Sequence, residues 1–301
     1  MNGILIIDKP SGFTSFDVIA VLRGILKTKK IGHSGTLDPM ATGVLPVFIG
    51  SATKAIDLLP CHDKEYIADF SLGITTDTGD ITGKTLSQNE CAVEAIAITS
   101  VTKLLQGELL QTPPMYSAVK INGQKLYDLA RQGRTVERTP KKINVYKNEL
   151  LSFDEKSQKG QLLVKCSKGT YIRTLIEDMG HTLKTGAIMT SLRRTGACGF
   201  TLDGAVTVDE ARAVQLDGLK CKILPVESAF VSCDAVNITE SQSARFQNGG
   251  FLSADRTDED FNTDILRIFC NNNFIGLGIN DKETEQINVL KVFNFEKYVC
   301  E

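Results

Sequence analysis

The chain has 301 residues, 42% of them hydrophobic and 23% charged, an ordinary globular composition that excludes a disordered, collagen-like or coiled-coil chain. Its 34 Lys and Arg against 36 Asp and Glu leave a formal charge of −2, near neutral overall. No apolar run approaches the roughly 20 residues needed to span a bilayer, and MNGILIIDKPSG lacks both the basic region and the cleavage site of a secretory signal.

GILIIDK (3–9) is predicted as a short buried strand. Thr14-Ser15-Phe16-Asp17 gives a helix start, after which Phe16, Ile19, Leu22 and Leu26 recur at helical spacing. GHSGTLDPMATGVLPVFIG (32–50) is rich in breakers and predicts a loop leading into structure rather than a regular element. In KEYIADFSL (64–72), Tyr66, Ala68, Phe70 and Leu72 alternate onto one face of a strand. Residues 91–105 are predicted helical, and residues 111–142, with Pro113-Pro114, an exposed and partly irregular insertion. QLLVKC (161–166) is a strand that stops before Gly169-Thr170. From Tyr171 a helix places Ile172, Leu175, Ile176, Met179 and Leu183 on one stripe. After Pro225-Val226 the runs Ile265–Cys270, Phe274–Ile279 and Ile287–Phe293 alternate with Asn- and Asp-rich turns, which predicts a small all-β module and a boundary near residue 228.

The eight cysteines, Cys61, Cys91, Cys166, Cys198, Cys221, Cys233, Cys270 and Cys300, form no CxxC, and His33, His62 and His181 complete no zinc spacing. Free thiols in a reducing compartment are expected. The near-neutral total hides an asymmetry. Residues 111–200 carry 16 basic and 7 acidic side chains, whereas residues 229–301 carry 6 and 12. The basic block is either the footprint of a polyanion site or a solvated face balanced by its neighbours in space.

The glycine-rich stretch matches neither a Walker loop nor GxGxxG. Its one carboxylate, Asp38, precedes Pro39, a pairing that ordinarily forms a turn. His33 is by default a loop histidine. Arg173 is more informative. It falls in the first helical turn, where the dipole disfavours a cation by about 0.3–1 kcal/mol, and about 100° from the apolar stripe. It either pairs with Glu177, worth about 0.2–0.5 kcal/mol, or faces a carboxylate or phosphate elsewhere. Tyr66 is a core tyrosine or a base-stacking platform, and Lys9 a lysine at a turn.

Six segments in order carry a resemblance: DKPSGFTSFDVI (8–19), GHSGTLDPMATGVLP (32–46), KEYIADFSLG…TDTGD (64–80), PPMYSAVKINGQKLYDLARQG (113–133), GTYIRTLIEDMG (169–180) and SLRRTGACGF (191–200). Over about residues 3–228 the chain resembles the bacterial TruB-type tRNA pseudouridine-55 synthases. Ser34 and Met40 stand where Thr and Leu are commoner, and the C-terminal module resembles the family's PUA-like domain.

The resemblance implies an α+β pseudouridine synthase fold around a mixed, largely antiparallel sheet with a cleft across its middle. It implies a catalytic domain over 1–228, with an insertion at about 111–147 closing over the T-arm, and a PUA-like β domain over 229–301. The implied enzyme is an isomerase without cofactor or metal. The N1–C1′ bond of uridine 55 breaks, the uracil turns, and C5 bonds to C1′. Asp38 is implied as the catalytic nucleophile, with attack at C1′ and removal of the C2′ proton both open. Arg173 would keep that carboxylate charged in a dry pocket, because burial raises a carboxyl pKa and a guanidinium within a few ångströms lowers it by roughly 1–3 units. Tyr66 would stack on the flipped uracil and take part in removing the C5 proton. Tyr171 and Leu192 would line the pocket, His33 steady the extruded nucleotide, and Lys9 support the site. The implied partner is the T-arm of tRNA, read by shape and splayed loop bases, and the implied working state is a cytoplasmic monomer. Two alternatives are a catalytically silent RNA-binding or tRNA-chaperone protein of the same fold, and a hydrolase, which would need a metal or a second carboxylate that no motif supplies.

Overall fold

The structure, a computed structural model, describes residues 1–121, 123–253 and 261–293. β1 (Gly3–Lys9) is an almost wholly buried strand. Thr14 caps α1 (Ser15–Leu26). Its hydroxyl accepts from the Asp17 N–H at 3.0 Å, and the Asp17 carboxylate accepts from the Thr14 N–H at 2.8 Å, so two orphan donors are satisfied reciprocally. The buried stripe of α1 is Val18, Ile19, Leu22 and Leu26. Phe16, placed on that stripe by spacing, is instead 63% exposed, with the Arg23 guanidinium over its ring. The inward place in the first turn belongs to Ser15, whose hydroxyl is tied to the backbone of Leu37.

The glycine-rich stretch is only partly loop. Ile31–His33 is β2, and Thr42–Ile49 is β3, buried along nearly its whole length. The apolar run VLPVFI outweighs the breakers, and Gly43 has a specific use. Its φ is +103°, and a Cβ there would overlap the Arg194 carbonyl, so only glycine allows this close approach. What remains as loop is residues 34–41, the segment that carries Asp38.

The chain continues through β4 (Lys64–Leu72), the hairpin β5 (Ile74–Thr76) and β6 (Thr85–Gln88), α2 (Ala95–Leu104) and β7 (Gly107–Gln111). There follow the hairpin β8 (Lys120–Ile121) and β9 (Gln124–Lys125), α3 (Leu126–Arg131), β10 (Lys141–Asp154), β11 (Lys159–Cys166), α4 (Ile172–Thr182), β12 (Ala187–Ala197), β13 (Phe200–Thr201), β14 (Val206–Thr207) and α5 (Val208–Lys220). Ten strands form one sheet in the order β14-β1-β3-β12-β4-β11-β10-β7, with β2 beside β3 and β13 beside β12. Only β1 with β14 and β3 with β12 pair in parallel, so the sheet is mixed and largely antiparallel. The β3–β12 pairing is confined to Thr42 and Gly43 against Arg193 and Arg194, which leaves a seam between two halves.

Strand alternation sets what faces each side of that seam. On one face Tyr66, Ala68 and Phe70 form a core with α2 and α4, and Leu5, Ile7, Leu45 and Val47 form another with α1 and α5. On the reverse face Ile4, Ile6, Val44 and Phe48 pack with Leu277 and Phe293 of the C-terminal module. Each such burial contributes roughly 1.5–3 kcal/mol, so the module is seated on the sheet by its own apolar residues. The module is a five-stranded sheet of β15 (Ala235–Asn237), β16 (Leu252–Ser253), β17 (Ile265–Cys270), β18 (Asn273–Asp281) and β19 (Gln286–Val292). It also holds one helix, α6 (Glu240–Gln247), begun by a Thr239–Gln242 capping box. Cys61, Cys91, Cys166, Cys198, Cys221, Cys233 and Cys270 are free, and Cys300 lies outside the described residues.

Candidate active site

One row of partners crosses the seam. Lys9 of β1 stands opposite Gly43 of β3, Gly43 opposite Arg194 of β12, and Arg194 opposite Tyr66 of β4. Equal register puts all four on the helix-covered face, between its two cores, and the 34–41 loop is anchored over them. The Asp38 carbonyl accepts from the Ala41 N–H at 3.0 Å, so Asp38-Pro39 is indeed a turn. The Pro39 carbonyl accepts from the Gly12 N–H at 2.8 Å and from Lys9 Nζ at 3.3 Å. The Leu37 N–H donates to the Ser15 hydroxyl at 2.9 Å. The turn is thus fixed from three sides, and none of these bonds uses the Asp38 side chain.

Arg173 opens α4, where burial would be costly without partners. Its Nη1 donates to the Thr78 carbonyl at 2.9 Å and its Nη2 to the Tyr116 carbonyl at 2.8 Å. Nη2 lies 3.2 Å from Asp38 Oδ2, and Nη1 lies 3.6 Å from Asp80 Oδ2. The planar fork therefore meets two carbonyls and two carboxylates, which a lysine could not do. Its ion-pair partners among the described residues are Asp38 and Asp80 rather than Glu177. Gly79 lets the Asp80 turn come this close. Its φ is +73°, and a Cβ there would stand 2.7 Å from the Glu177 carboxyl carbon.

The expectation of a dry pocket is corrected in one respect. The Asp38 side chain is 43% exposed, whereas that of Arg173 is 6% exposed. At that exposure the carboxylate is only partly shielded from solvent. Asp80 is the buried carboxylate of the trio at 7%. Its Oδ1 accepts from Thr78 Oγ1, the Thr82 N–H and Thr82 Oγ1 at 2.8, 3.0 and 2.6 Å. In the sequence Asp80 is only the end of TDTGD, with no role attached to it. The available signal was a cation that needed a second carboxylate.

Tyr66 and Leu192 are buried, as cross-strand neighbours of the row. Burial pushes the Tyr66 hydroxyl up to about 12, against the pull of Arg194. Tyr171 precedes α4 without a side-chain cap of its own. Gln111 substitutes for one, accepting from the Tyr171 N–H at 2.7 Å and donating to its carbonyl at 3.1 Å. Burial raises the Tyr171 hydroxyl. His33 ends β2 at the near side of the loop, and burial, then the Arg194 charge, lower its pKa. All seven residues singled out in the sequence thus converge on the seam, with Asp80, Gln111 and Arg194 added by the fold.

Lys9 is wholly buried, and its Nζ is committed to the carbonyls of Phe13 at 2.6 Å, Pro10 at 2.9 Å and Pro39. Burial lowers its pKa from 10.5 to about 8, partly opposed by Asp38. Between those values the unfolded chain binds more protons than the folded one. The penalty of a buried ammonium is therefore full below pH 8 and is relieved as pH rises from 8 toward 10.5. The urea midpoint of the wild type is expected to gain a rising component over that window, and Lys9→Met is expected to lack it. Parallel pH profiles for the two proteins would contradict this.

This architecture is the fold of the pseudouridine synthases, a class of isomerases. The crystal structure of a Cbf5-Nop10-Gar1 complex contains a chain that superposes with a TM-score of 0.74 at 29% identity, covering 96% of this chain and 84% of that one. The "tRNA pseudouridine synthase B" of Clostridium tetani is 40% identical over 294 residues, 97% of this chain and all of the relative. That of Limosilactobacillus reuteri is 43% identical over 260 residues, 84% and 86% of the two chains. Residues 23–172 match the TruB family pseudouridylate synthase N-terminal domain, and residues 173–231 match the tRNA pseudouridylate synthase B C-terminal domain. The chain belongs to the TruB family.

Proposed function

We propose that this chain converts uridine 55 in the T-loop of tRNA to pseudouridine, working as a cytoplasmic monomer with Asp38 as the group that acts on the ribose. The observation that carries the reading is the Asp38–Arg173 ion pair at 3.2 Å, set beside Tyr66 at the seam. The relatives' name supports a tRNA substrate. A solved neighbour, described as an H/ACA RNP bound to a substrate RNA containing 2′-deoxyuridine, has a TM-score of 0.73 at 27% identity.

The reaction conserves atoms. The N1–C1′ bond breaks, C5 bonds to C1′, N1 gains a proton and C5 loses one. Arg173 holds Asp38 toward the open side of the pocket, where the carboxylate meets the C1′–C2′ edge of an extruded nucleotide. Tyr66 and Leu192 form the wall on which the uracil turns, and Tyr171 and His33 flank it. At neutral pH Tyr66 is a phenol, so it accepts the C5 proton only in step with release of its own. Extrusion of the base costs a few kcal/mol, and stacking against aromatic side chains offsets part of it, roughly 1–3 kcal/mol per base. Bound RNA also supplies the cover that Asp38 lacks.

The catalytic unit in this reading is residues 1–228. The insertion at about 111–147 closes over the T-arm, and the PUA-like module from 229 lies outside this unit. Lys120, Lys125 and Arg131 line a cavity of about 620 Å³ in the insertion, a place for backbone phosphate. The logarithm of the tRNA association constant is expected to fall linearly with log salt, with a slope of about −0.7 to −0.9 per phosphate neutralised. The double substitution Lys125→Gln, Arg131→Gln is expected to make that slope shallower by about 1.5. An unchanged slope would place the RNA elsewhere.

The function itself is tested with tRNA carrying tritium at uridine C5. The wild type is expected to release one equivalent from tRNA with uridine at position 55 and none when cytidine replaces it. A folded protein that binds tRNA and releases nothing would be a silent RNA-binding protein instead.

A further inference from the structure

Arg194 is the largest side chain without exposed surface among the described residues, and the chemistry above gives it no role. A guanidinium is always charged, and its burial is tolerated only where acceptors replace its hydration. No described carboxylate lies within ion-pair distance of it. Instead its Nε donates to the Val44 carbonyl at 2.7 Å, its Nη2 to the Gly35 carbonyl at 3.1 Å and its Nη1 to the Thr36 carbonyl at 3.5 Å, and Tyr66 of β4 is its cross-strand partner. All three acceptors belong to residues 35–44, the segment that carries Asp38. Arg194 itself belongs to β12, in the half of the sheet that carries Tyr66. The ladder joins the two halves at only two positions, so backbone pairing alone holds them weakly. Arg194 bridges them on the face where the site lies.

We propose that Arg194 is a positioning residue for the isomerisation: its guanidinium fixes the Asp38 turn to the strand pair that carries Tyr66, so the separation of the two residues survives the entry of RNA. This rests on the reading of Asp38 and Tyr66 as the reacting groups. Lysine would preserve the charge but not the fork that reaches three acceptors. The charge has its own reporter in His33, whose pKa is lowered by burial and by Arg194.

The test compares the wild type, Arg194→Lys and Arg194→Gln by tRNA dissociation constant, single-turnover tritium release and NMR titration of His33, one of only three histidines. The glutamine variant leaves several carbonyls without a donor and is the one at risk of misfolding, so Arg194→Lys carries the test. That variant is expected to bind tRNA within about twofold of wild type and to lose about 100-fold in rate, the scale of a 1 Å misplacement. Its His33 midpoint should stay below the ordinary value, and in a folded Arg194→Gln protein it should rise. A wild-type rate in Arg194→Lys overturns the proposal. So does a joint loss of rate and affinity with His33 back at its ordinary value, because that is the mark of a loosened loop rather than a misplaced pair. A wild-type protein silent on the same tRNA overturns the functional reading and this inference with it, whereas an active wild type beside an unaffected Arg194→Lys removes the inference alone.

Discussion

Arg173→Met is expected to destabilise the fold by about 3–5 kcal/mol, the scale of breaking a buried ion pair from one side, and to abolish turnover. The two effects have different origins. The stability loss comes from Asp80, which at 7% exposure would be left as a buried carboxylate with hydroxyls and an N–H but no cation. The Thr78 and Tyr116 carbonyls would lose their donors as well. The activity loss comes from Asp38, which would no longer be held on the Arg173 fork. A second substitution separates them. Asp80→Asn added to Arg173→Met removes the unpaired charge and is expected to recover part of the urea midpoint, with no recovery of tritium release. If the double variant regained turnover, Arg173 would be serving Asp80 alone.

Asp38→Asn is expected to behave in the opposite way. Its side chain is 43% exposed, and an ion pair this open contributes at most about 1 kcal/mol, so the urea midpoint should hardly move. The turn is made by backbone groups and by Lys9 and Ser15, so its shape should persist, with tRNA affinity within a few-fold of wild type. Turnover should nevertheless fall by at least about 10⁴-fold, as removal of a nucleophile does in other enzymes. The two members of one ion pair are thus predicted to split, one structural and chemical, the other chemical alone. That split follows from their unequal burial and can be read from urea titrations beside single-turnover rates. Substantial turnover by folded Asp38→Asn would remove the assignment.

Elements governed by a clear period were legible in the sequence. β4 and the Ile172, Leu175, Ile176, Met179 stripe of α4 lie where alternation and helical spacing put them. β3 was not legible, because Gly43 and Pro46 read as breakers. Gly43 is needed only where Arg194 of another strand crosses it, which is a tertiary fact. Phe16 failed for a related reason. A helical period fixes a stripe, but a first-turn residue can be displaced when a neighbour such as Ser15 has a polar contact to make. At the site, residues with an evident cost in the sequence were recoverable. Arg173 at the wrong end of a helix demanded an anion, and the fold supplied two. Asp80 resembled any turn aspartate until that demand was met. Arg194 left a fainter trace, since it shares strand parity with buried Leu192, and a charge on an apolar face was the signal to follow. The exposure of Asp38 could not be inferred at all, because it depends on which surface is left for another molecule to cover.

The pairing of Asp38 with an extruded ribose is tested most directly by a structure of Asp38→Asn bound to T-arm RNA. The account predicts uridine 55 out of its stack, its base against Tyr66, and the residue 38 side-chain oxygen about 3–3.5 Å from the C1′–C2′ edge, a distance suited to reaction. A uridine that stays stacked, or a ribose lodged on the far side of Arg173, would contradict it.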